Sequence, residues 1–187
     1  MKVVRATLER LSPYSQSKHH NTPYLTDELY GAYEQRTWRS RLHVDSDGKV
    51  FIPPMALKNS ISECALFKSE KIPGKGNAKW TKHFEAGILV TEGIDTGLLA
   101  ADVKGEWLFL NADGRRGGGK RVMRCMPVIP HWKGATEYYL LDEIITKEVF
   151  ERNLEWAGQI IGIGRFRPRK NGFYGRYKIV ELEWKIA

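Results

Sequence analysis

The sequence contains little cysteine and no long apolar run. Cys64 and Cys125 are its two cysteines, too few and too isolated for a disulfide framework or a structural zinc site. No stretch approaches the roughly 18 apolar residues of a membrane span, and the N-terminus lacks the apolar run of a signal peptide. These absences predict a cytoplasmic protein in a reducing compartment, with no membrane partner.

Metal-binding and nucleotide-binding motifs are absent as well. His19 and His20 are adjacent, but no cysteine or carboxylate stands at ligand spacing beside them. Lys120 is followed by Arg121 where a phosphate-binding NTPase loop needs Ser or Thr, and the segment 162–164 lacks the third glycine of a dinucleotide fingerprint. We therefore expect no metal, no cofactor and no nucleotide hydrolysis.

The charge is strongly positive. Thirty Lys and Arg residues stand against 22 Asp and Glu residues, a net charge of +8, which is typical of proteins that meet polyphosphate or an anionic surface. The hydrophobic fraction of 42% and charged fraction of 28% are ordinary for a globular protein. A chain of 187 residues is expected to form a single domain over residues 1–187.

Hydrophobic periodicity predicts six core elements. In chain order they are a strand at 2–11, a helix at about 54–68, a strand at 84–91, a strand at 135–141, a helix capped by Thr146 and buried up to Ile161, and a strand at 174–184. This order predicts an α+β, ferredoxin-like (RRM-like) βαββαβ fold, in which two helices cover one face of an antiparallel sheet.

Long insertions interrupt this core, at about 12–50, 68–82 and 111–121. The first is expected to hold a short helix within 27–41 and a hairpin of 42–44 with 50–52, because Asp47-Gly48 supplies the turn. The third connects a short strand at 107–110 with a strand at 122–129 through a glycine-rich basic tip.

Residues 162–178 form the most informative segment. They combine four glycines and four aromatic residues with six basic side chains and no acid. The basic residues are Arg165, Arg167, Arg169, Lys170, Arg176 and Lys178. Glycines let backbone amides approach phosphates, arginines bind phosphates in pairs of hydrogen bonds, and Phe166, Phe173 and Tyr174 can stack on bases. The alternative is a solvated hairpin whose aromatic side chains pack on the core. The coincidence of the three residue types favours nucleic acid.

A second basic group follows the same pattern less specifically. It consists of Arg115, Arg116, Lys120 and Arg121 in the 111–121 loop. We expect these residues to reach a neighbouring segment of nucleic acid or a neighbouring subunit.

The predicted core, the segment Ile52–Ile61 and the glycine-rich loop together resemble the RAMP (repeat-associated mysterious protein) superfamily of CRISPR systems, and within it the backbone subunits. Those proteins often carry an Ile-Pro-Gly-x-x-Leu-Lys-x-x-Ile/Leu-like entry to their first helix, which this chain matches except that Pro54 replaces the glycine. The loop match covers Gly162–Gly175. The resemblance implies that Lys58 and Asn59 contact the RNA backbone.

The chain departs from these subunits in two respects. It is shorter than most of them, and no loop that would bend a guide RNA is identifiable. Two alternatives to a CRISPR backbone subunit therefore stay open: a solitary or phage-encoded relative, and a mimic of a CRISPR subunit.

The leading hypothesis is a non-catalytic protein that binds single-stranded RNA, or DNA, and that associates with itself or with other CRISPR-like subunits. The expected nucleic-acid-binding residues are Lys58, Asn59, Arg115, Arg116, Lys120, Arg121, Arg165, Phe166, Arg167, Arg169, Lys170, Tyr174 and Arg176.

Two alternatives stay open. The first is a metal-independent RNA endonuclease that uses His19 or His20 beside Lys18, because imidazole titrates near neutrality and cleavage by the 2′-hydroxyl needs only acid-base help. The second is an interaction protein whose basic loops bind an acidic partner.

Overall fold

The computed structural model describes residues 1–112 and 119–186. The helices are α1 (Tyr30–Thr37), α2 (Pro54–Lys68), α3 (Thr81–Ala86) and α4 (Lys147–Trp156), with short 3-10 turns at Trp38–Arg41 and Pro168–Lys170 and a π-helical turn at Ala157–Ile161. The strands are β1 (Lys2–Arg10), β2 (Tyr14–Ser15), β3 (Lys49–Ile52), β4 (Ile88–Val90), β5 (Ile94–Leu99), β6 (Lys104–Asn111), β7 (Arg121–Ile129), β8 (Lys133–Leu140) and β9 (Tyr177–Ile186). Within the described residues, no helix is long and apolar enough to cross a membrane.

The main sheet has four strands in the order β4-β8-β1-β9, and each neighbouring pair is antiparallel. Along the chain the elements of this layer run β1, α2, β4, β8, α4, β9. This sequence of elements, with β1 at the centre beside β8 and β9, is the split βαβ arrangement. The predicted α+β class with an antiparallel sheet is confirmed.

The core lies between this sheet and helices α2 and α4. In β1, Val4, Ala6 and Leu8 alternate with more exposed residues and are fully buried, as the period of two of a strand requires. Phe150 of α4 is fully buried and meets Tyr138 of β8 edge-on, with ring centres 5.4 Å apart. The apolar periodicity of β1 and α4 therefore determined which faces meet.

The ends of the two core helices follow local sequence signals. Pro54 occupies the first turn of α2, where its missing N–H costs nothing, and Thr146 Oγ1 accepts the Val149 backbone N–H at 3.4 Å to cap α4. After α4 the chain makes the π-helical turn and stops at Gly162, whose φ is 71°. Both predicted helix starts are confirmed, but the last turn of the second helix is π-helical rather than α-helical.

The predicted strand at 84–91 is partly wrong. Phe84 lies in α3, where its backbone N–H bonds to the Trp80 carbonyl, and the strand begins only after Gly87 and covers Ile88–Val90. Phe84 is fully buried in the core. An apolar residue at a buried position fits a short helix as well as a strand, so its presence does not distinguish the two.

The predicted hairpin of 42–44 with 50–52 is present in part. The turn exists, with Asp45 N–H donating to the Lys49 carbonyl, and the two segments pair through the isolated bridge between Val44 and Val50 and through the Phe51 N–H, which donates to the His43 carbonyl at 3.1 Å, but residues 42–44 do not form a strand. Strand β3 also pairs with β5, which the sequence reasoning missed. The third sheet has the order β2-β7-β6, and its β6–β7 hairpin is the one predicted around the 111–121 loop.

The closing strand β9 begins at Tyr177 rather than at Tyr174. Residues 174–176 belong to the loop that precedes it. Between α2 and α3, residues 69–80 form a loop with a bridge between Lys71 and Lys79, held to the core by buried Ile72 and Trp80.

Candidate nucleic-acid interface

The C-terminal basic loop, residues 162–176, is fastened to the segment that joins β1 to β2. Arg165 N–H donates to the Ser15 carbonyl at 2.9 Å, and Gly175 N–H donates to the Pro13 carbonyl at 2.7 Å. Gly175 has φ 78°, and a Cβ there would lie 1.9 Å from the Ile163 carbonyl oxygen. Glycine is required at this position because the two sides of the loop cross at this point. The C-terminal basic loop is therefore a defined, hydrogen-bonded structure.

Arg165 lies at the centre of this loop. Its Nε donates to Ser15 Oγ at 3.2 Å, and its guanidinium carbon lies 4.1 Å from the ring centre of Phe166 and 5.8 Å from that of Tyr174. Its two Nη atoms are buried and have no hydrogen-bond partner among the described residues. Burial lowers the pKa of Arg165. Donors buried in this state favour a strong acceptor such as a phosphate oxygen.

Arg167 and Arg169 share a carboxylate of α2. Glu63 lies 2.7 Å from Arg167 Nη2 and 3.5 Å from Arg169 Nε. The Arg169 guanidinium also lies over the Phe67 ring, 5.0 Å from its centre. Two of the expected phosphate-binding cations are thus held by a neighbouring helix and are partly neutralised by it.

The remaining residues of the loop surround this cluster. The Tyr174 hydroxyl donates to the Glu106 carboxylate, and burial together with this bond raises the pKa of Tyr174 to about 12. Arg176 donates through Nε to the Gln159 carbonyl at 3.1 Å. Phe166 and Phe173 are 39% and 62% exposed, which leaves ring surface on which a base can stack. Lys170 lies on the exposed rim.

Lys58 and Asn59 occupy different environments on α2. Lys58 Nζ donates to the backbone carbonyls of Phe84 and Glu85 at the end of α3 and to Ser62 Oγ at 2.8 Å. Burial lowers the pKa of Lys58. Asn59 is exposed. Lys58 therefore joins α2 to α3.

The β6–β7 hairpin carries the second basic group. Arg115 and Arg116 lie outside the described residues, and Lys120 is exposed. Arg121 Nη2 donates to the Phe109 carbonyl at 2.7 Å and its guanidinium lies 4.9 Å from that ring centre. The hairpin thus presents a cation beside an exposed aromatic ring.

His19 and His20 lie in a concave site that we call the tyrosine cleft. Its volume is about 350 Å³. The cleft is lined by Ser17, Lys18, His19, His20, Tyr24, Tyr30, Tyr33, Glu34, Arg41, Arg124 and Met126. The insertion between β2 and β3 and the strand β7 together build it.

Rings and a buried ion pair define the tyrosine cleft. Tyr24 stacks on Tyr33 with ring centres 3.8 Å apart and an interplanar angle of 12°. Glu34 is 1% exposed, pairs with Arg41 Nη1 at 2.9 Å and accepts the Cys125 backbone N–H at 2.7 Å. Burial, followed by the positive charge of Arg41, lowers the pKa of His20.

The cleft and the C-terminal basic loop are neighbours. Ser15, which holds Arg165, is two residues from Ser17 of the cleft wall, a span of at most about 7 Å of chain. The charge of Arg41 also lowers the pKa of both His20 and Arg165. Among the described residues, no group of three histidine, cysteine, aspartate or glutamate side chains is arranged to hold a metal ion.

Sequence reasoning missed Glu63, Arg124 and the two tyrosines that line the cleft from α1. The signal for the tyrosines was present, because Tyr30 and Tyr33 stand three residues apart and so share a helix face. Glu63 had no local signal, since its partners Arg167 and Arg169 are distant in the chain. Arg124 had none either, since its neighbours in the sequence do not mark it as part of a cleft.

Comparison with known proteins supports the fold. Neither a scan of protein-family models nor a search of curated proteins found a match. A chain of the type III-B Cmr-beta structure, determined by cryo-electron microscopy with cognate target RNA bound, is similar with a TM-score of 0.53 and 10% identity, over 98% of this chain and 60% of that one. This chain therefore spans less than two thirds of that neighbour.

A second similar structure is Cmr6 from Pyrococcus furiosus, with a TM-score of 0.50 and 12% identity, over 96% of this chain and 98% of that one. Both identities are far below 25%, so these similarities show a shared fold and no more. The chain has a fold similar to those of a chain of the type III-B Cmr-beta structure and of Cmr6, as the resemblance noted from the sequence predicts.

Proposed function

We propose that this protein binds single-stranded RNA, without cleaving it, through the C-terminal basic loop, and that it does so together with other CRISPR-type subunits. The observation that carries the proposal is the cluster around Arg165, a guanidinium whose buried Nη donors have no partner among the described residues and whose carbon lies 4.1 Å from the Phe166 ring centre and 5.8 Å from that of Tyr174. Single-strand binding proteins combine cations that follow the backbone with rings on which bases stack.

The loop supplies both components within one hydrogen-bonded structure. Arg169 and Lys170 lie exposed at its rim, while Phe166 and Phe173 present ring surface. The residues 162–176 contain no acid. The similar folds belong to CRISPR subunits, one of them in a structure with target RNA, which favours RNA over DNA and a subunit over a solitary protein.

The test measures fluorescence anisotropy of labelled single-stranded RNA and DNA at two salt concentrations. The variant replaces Arg165, Arg167 and Arg169 with alanine. The matched control replaces Lys49, Lys147 and Lys185, three exposed cations whose side chains are 49%, 58% and 54% accessible. Both variants lose the same charge.

We expect the wild type to bind RNA in a salt-dependent manner. Each neutralised phosphate of a single strand contributes roughly 0.7 to the slope of log affinity against log salt, so the loop variant should lose up to about 2 units of slope. Absence of binding by the wild type, or an equal loss in the control, would overturn the proposal.

RNA cleavage is the second candidate function. It is favoured by one observation, that His19 and His20 line the same cleft as Lys18. A cleavage reaction would proceed in the presence of a chelator and would be lost when both histidines are changed to alanine. Intact RNA after prolonged incubation with the wild type would exclude it.

A further inference from the structure

The tyrosine cleft has an open aromatic surface at its mouth. Tyr24 is 54% exposed although it stacks on Tyr33 at 3.8 Å. One face of the Tyr24 ring is therefore covered, and the exposed remainder can continue the stack. A nucleobase is the planar group that a single strand would supply, and unstacked bases are commonly bound on aromatic side chains.

The loop that carries Tyr24 is fixed before any ligand arrives. Arg36 binds both carboxylate oxygens of Glu28 at 2.8 Å and the Pro23 carbonyl at 2.9 Å. Glu28 in turn accepts the Leu25 backbone N–H at 3.0 Å. The Tyr33 hydroxyl donates to the Thr22 carbonyl at 2.8 Å. A prearranged ring lowers the entropy cost of binding.

The inner wall of the cleft offers hydrogen-bond donors. Arg124 lines the cleft and donates through Nη2 to the Ala112 carbonyl at 2.6 Å, while its buried Nε has no hydrogen-bond partner among the described residues. The cleft also holds Lys18 and His19, whose side chains can donate to a base edge or to a phosphate. The carboxylate of Glu34 is already bound by Arg41 and by the Cys125 backbone, so its charge is compensated.

The size of the cleft limits its occupant. Its volume of about 350 Å³ lies near the lower end of the range of small-molecule sites, about 300–1,000 Å³. That volume suits one base with its sugar and is too small for several stacked bases. The cleft also adjoins the C-terminal basic loop through the segment from Ser15 to Ser17.

We propose that the tyrosine cleft takes one unstacked base of the bound single strand, stacked on Tyr24 with its polar edge toward Arg124, while the neighbouring phosphates lie on the C-terminal basic loop. This inference rests on the proposed RNA-binding function. It adds a subsite that binds an individual nucleotide to a surface that otherwise recognises backbone charge.

The experiment uses single-stranded RNA oligonucleotides that carry one 2-aminopurine at successive positions, because stacking quenches the fluorescence of this base. The variants are Tyr24→Ala, Tyr24→Phe, which keeps the ring, and Leu25→Ala. Leu25 is the matched control because it is 58% exposed in the same loop and does not line the cleft.

We expect one position of the RNA to be quenched by the wild type and by Tyr24→Phe, but not by Tyr24→Ala. Loss of one stacked base should weaken binding by Tyr24→Ala about 5- to 150-fold. If the wild type binds RNA in a salt-dependent manner but Tyr24→Ala and Leu25→Ala behave alike, the cleft inference is wrong while the proposed function stands. If the wild type binds no RNA, both are overturned.

Discussion

Glu63 restrains the two arginines of the C-terminal basic loop that lie nearest to α2. Its carboxylate lies 2.7 Å from Arg167 and 3.5 Å from Arg169. If these arginines contact phosphates, the carboxylate competes with the RNA for the same guanidinium groups. Glu63→Gln removes that competition and keeps the side-chain size, so it should strengthen RNA binding.

The expected gain follows from the two ion pairs. Pairs of this partly exposed kind contribute about 0.2–1 kcal/mol each. Releasing both would make about 0.4–2 kcal/mol available to the RNA complex, which corresponds to roughly a 2- to 30-fold increase in affinity. The gain should shrink at high salt because screening weakens both the pairs and the phosphate contacts.

The assay is anisotropy of a labelled single-stranded RNA at 50–200 mM salt, the range over which phosphate contacts change affinity most clearly. The control is Glu143→Gln, which makes the same change of charge at an 84% exposed side chain near the N-terminus. Affinity equal to the control would show that Arg167 and Arg169 do not contact the RNA. Weaker binding would show instead that Glu63 positions them.

Three further predictions concern stability and pH. Phe150→Ala should destabilise the fold by about 3–5 kcal/mol in urea denaturation, because the ring is fully buried between β8 and α4; a loss below about 1 kcal/mol would contradict the packing described. Glu34→Gln should cost about 3–5 kcal/mol by the same measurement, because it leaves the buried Arg41 charge without its carboxylate, whereas a neutral effect would mean that the ion pair is dispensable. Hydrogen bonding by Arg36 lowers the pKa of Glu28 to about 2 from 4.5, so this contact should persist above pH 4.5 and be lost as the pH falls through about 2; an NMR titration of the Glu28 carboxyl group with a midpoint near 4.5 would refute it.

The layered fold could be predicted from the sequence because its core elements carry strong periodic signals. Strand β1 alternates, and α2 and α4 have recognisable starts at Pro54 and Thr146. Strand β5 was missed because Asp95 and Gly97 interrupt its apolar residues. The second half of α3, from Phe84 on, was predicted as strand because the helix is only six residues long and Phe84 is buried in either state.

The candidate site could be predicted only in part, and for a different reason. Composition located the C-terminal basic loop, since glycines, arginines and aromatic residues coincide there. Composition cannot show which cations already have partners, because pairs such as Arg167 with Glu63 join distant parts of the chain. The same limit applies to Lys58, whose contacts with the end of α3 depend on the packing of two helices.

The distribution of charge restricts the route that a strand can take across this protein. A groove of about 630 Å³ between α4 and β9 has four glutamates (Glu148, Glu151, Glu155 and Glu181) and two cations (Arg152 and Lys178) in its lining, so acids outnumber bases. Gln159 also lines it and accepts a hydrogen bond from Arg176 of the C-terminal basic loop. A polyanion that leaves the loop toward this groove meets like charge. In the other direction it meets the Ser12–Ser17 segment and the tyrosine cleft, where the carboxylate of Glu34 is already paired. If a strand binds the C-terminal basic loop as proposed, this distribution of charge favours a route toward Tyr24, which is the geometry that stacking of one base in the cleft requires.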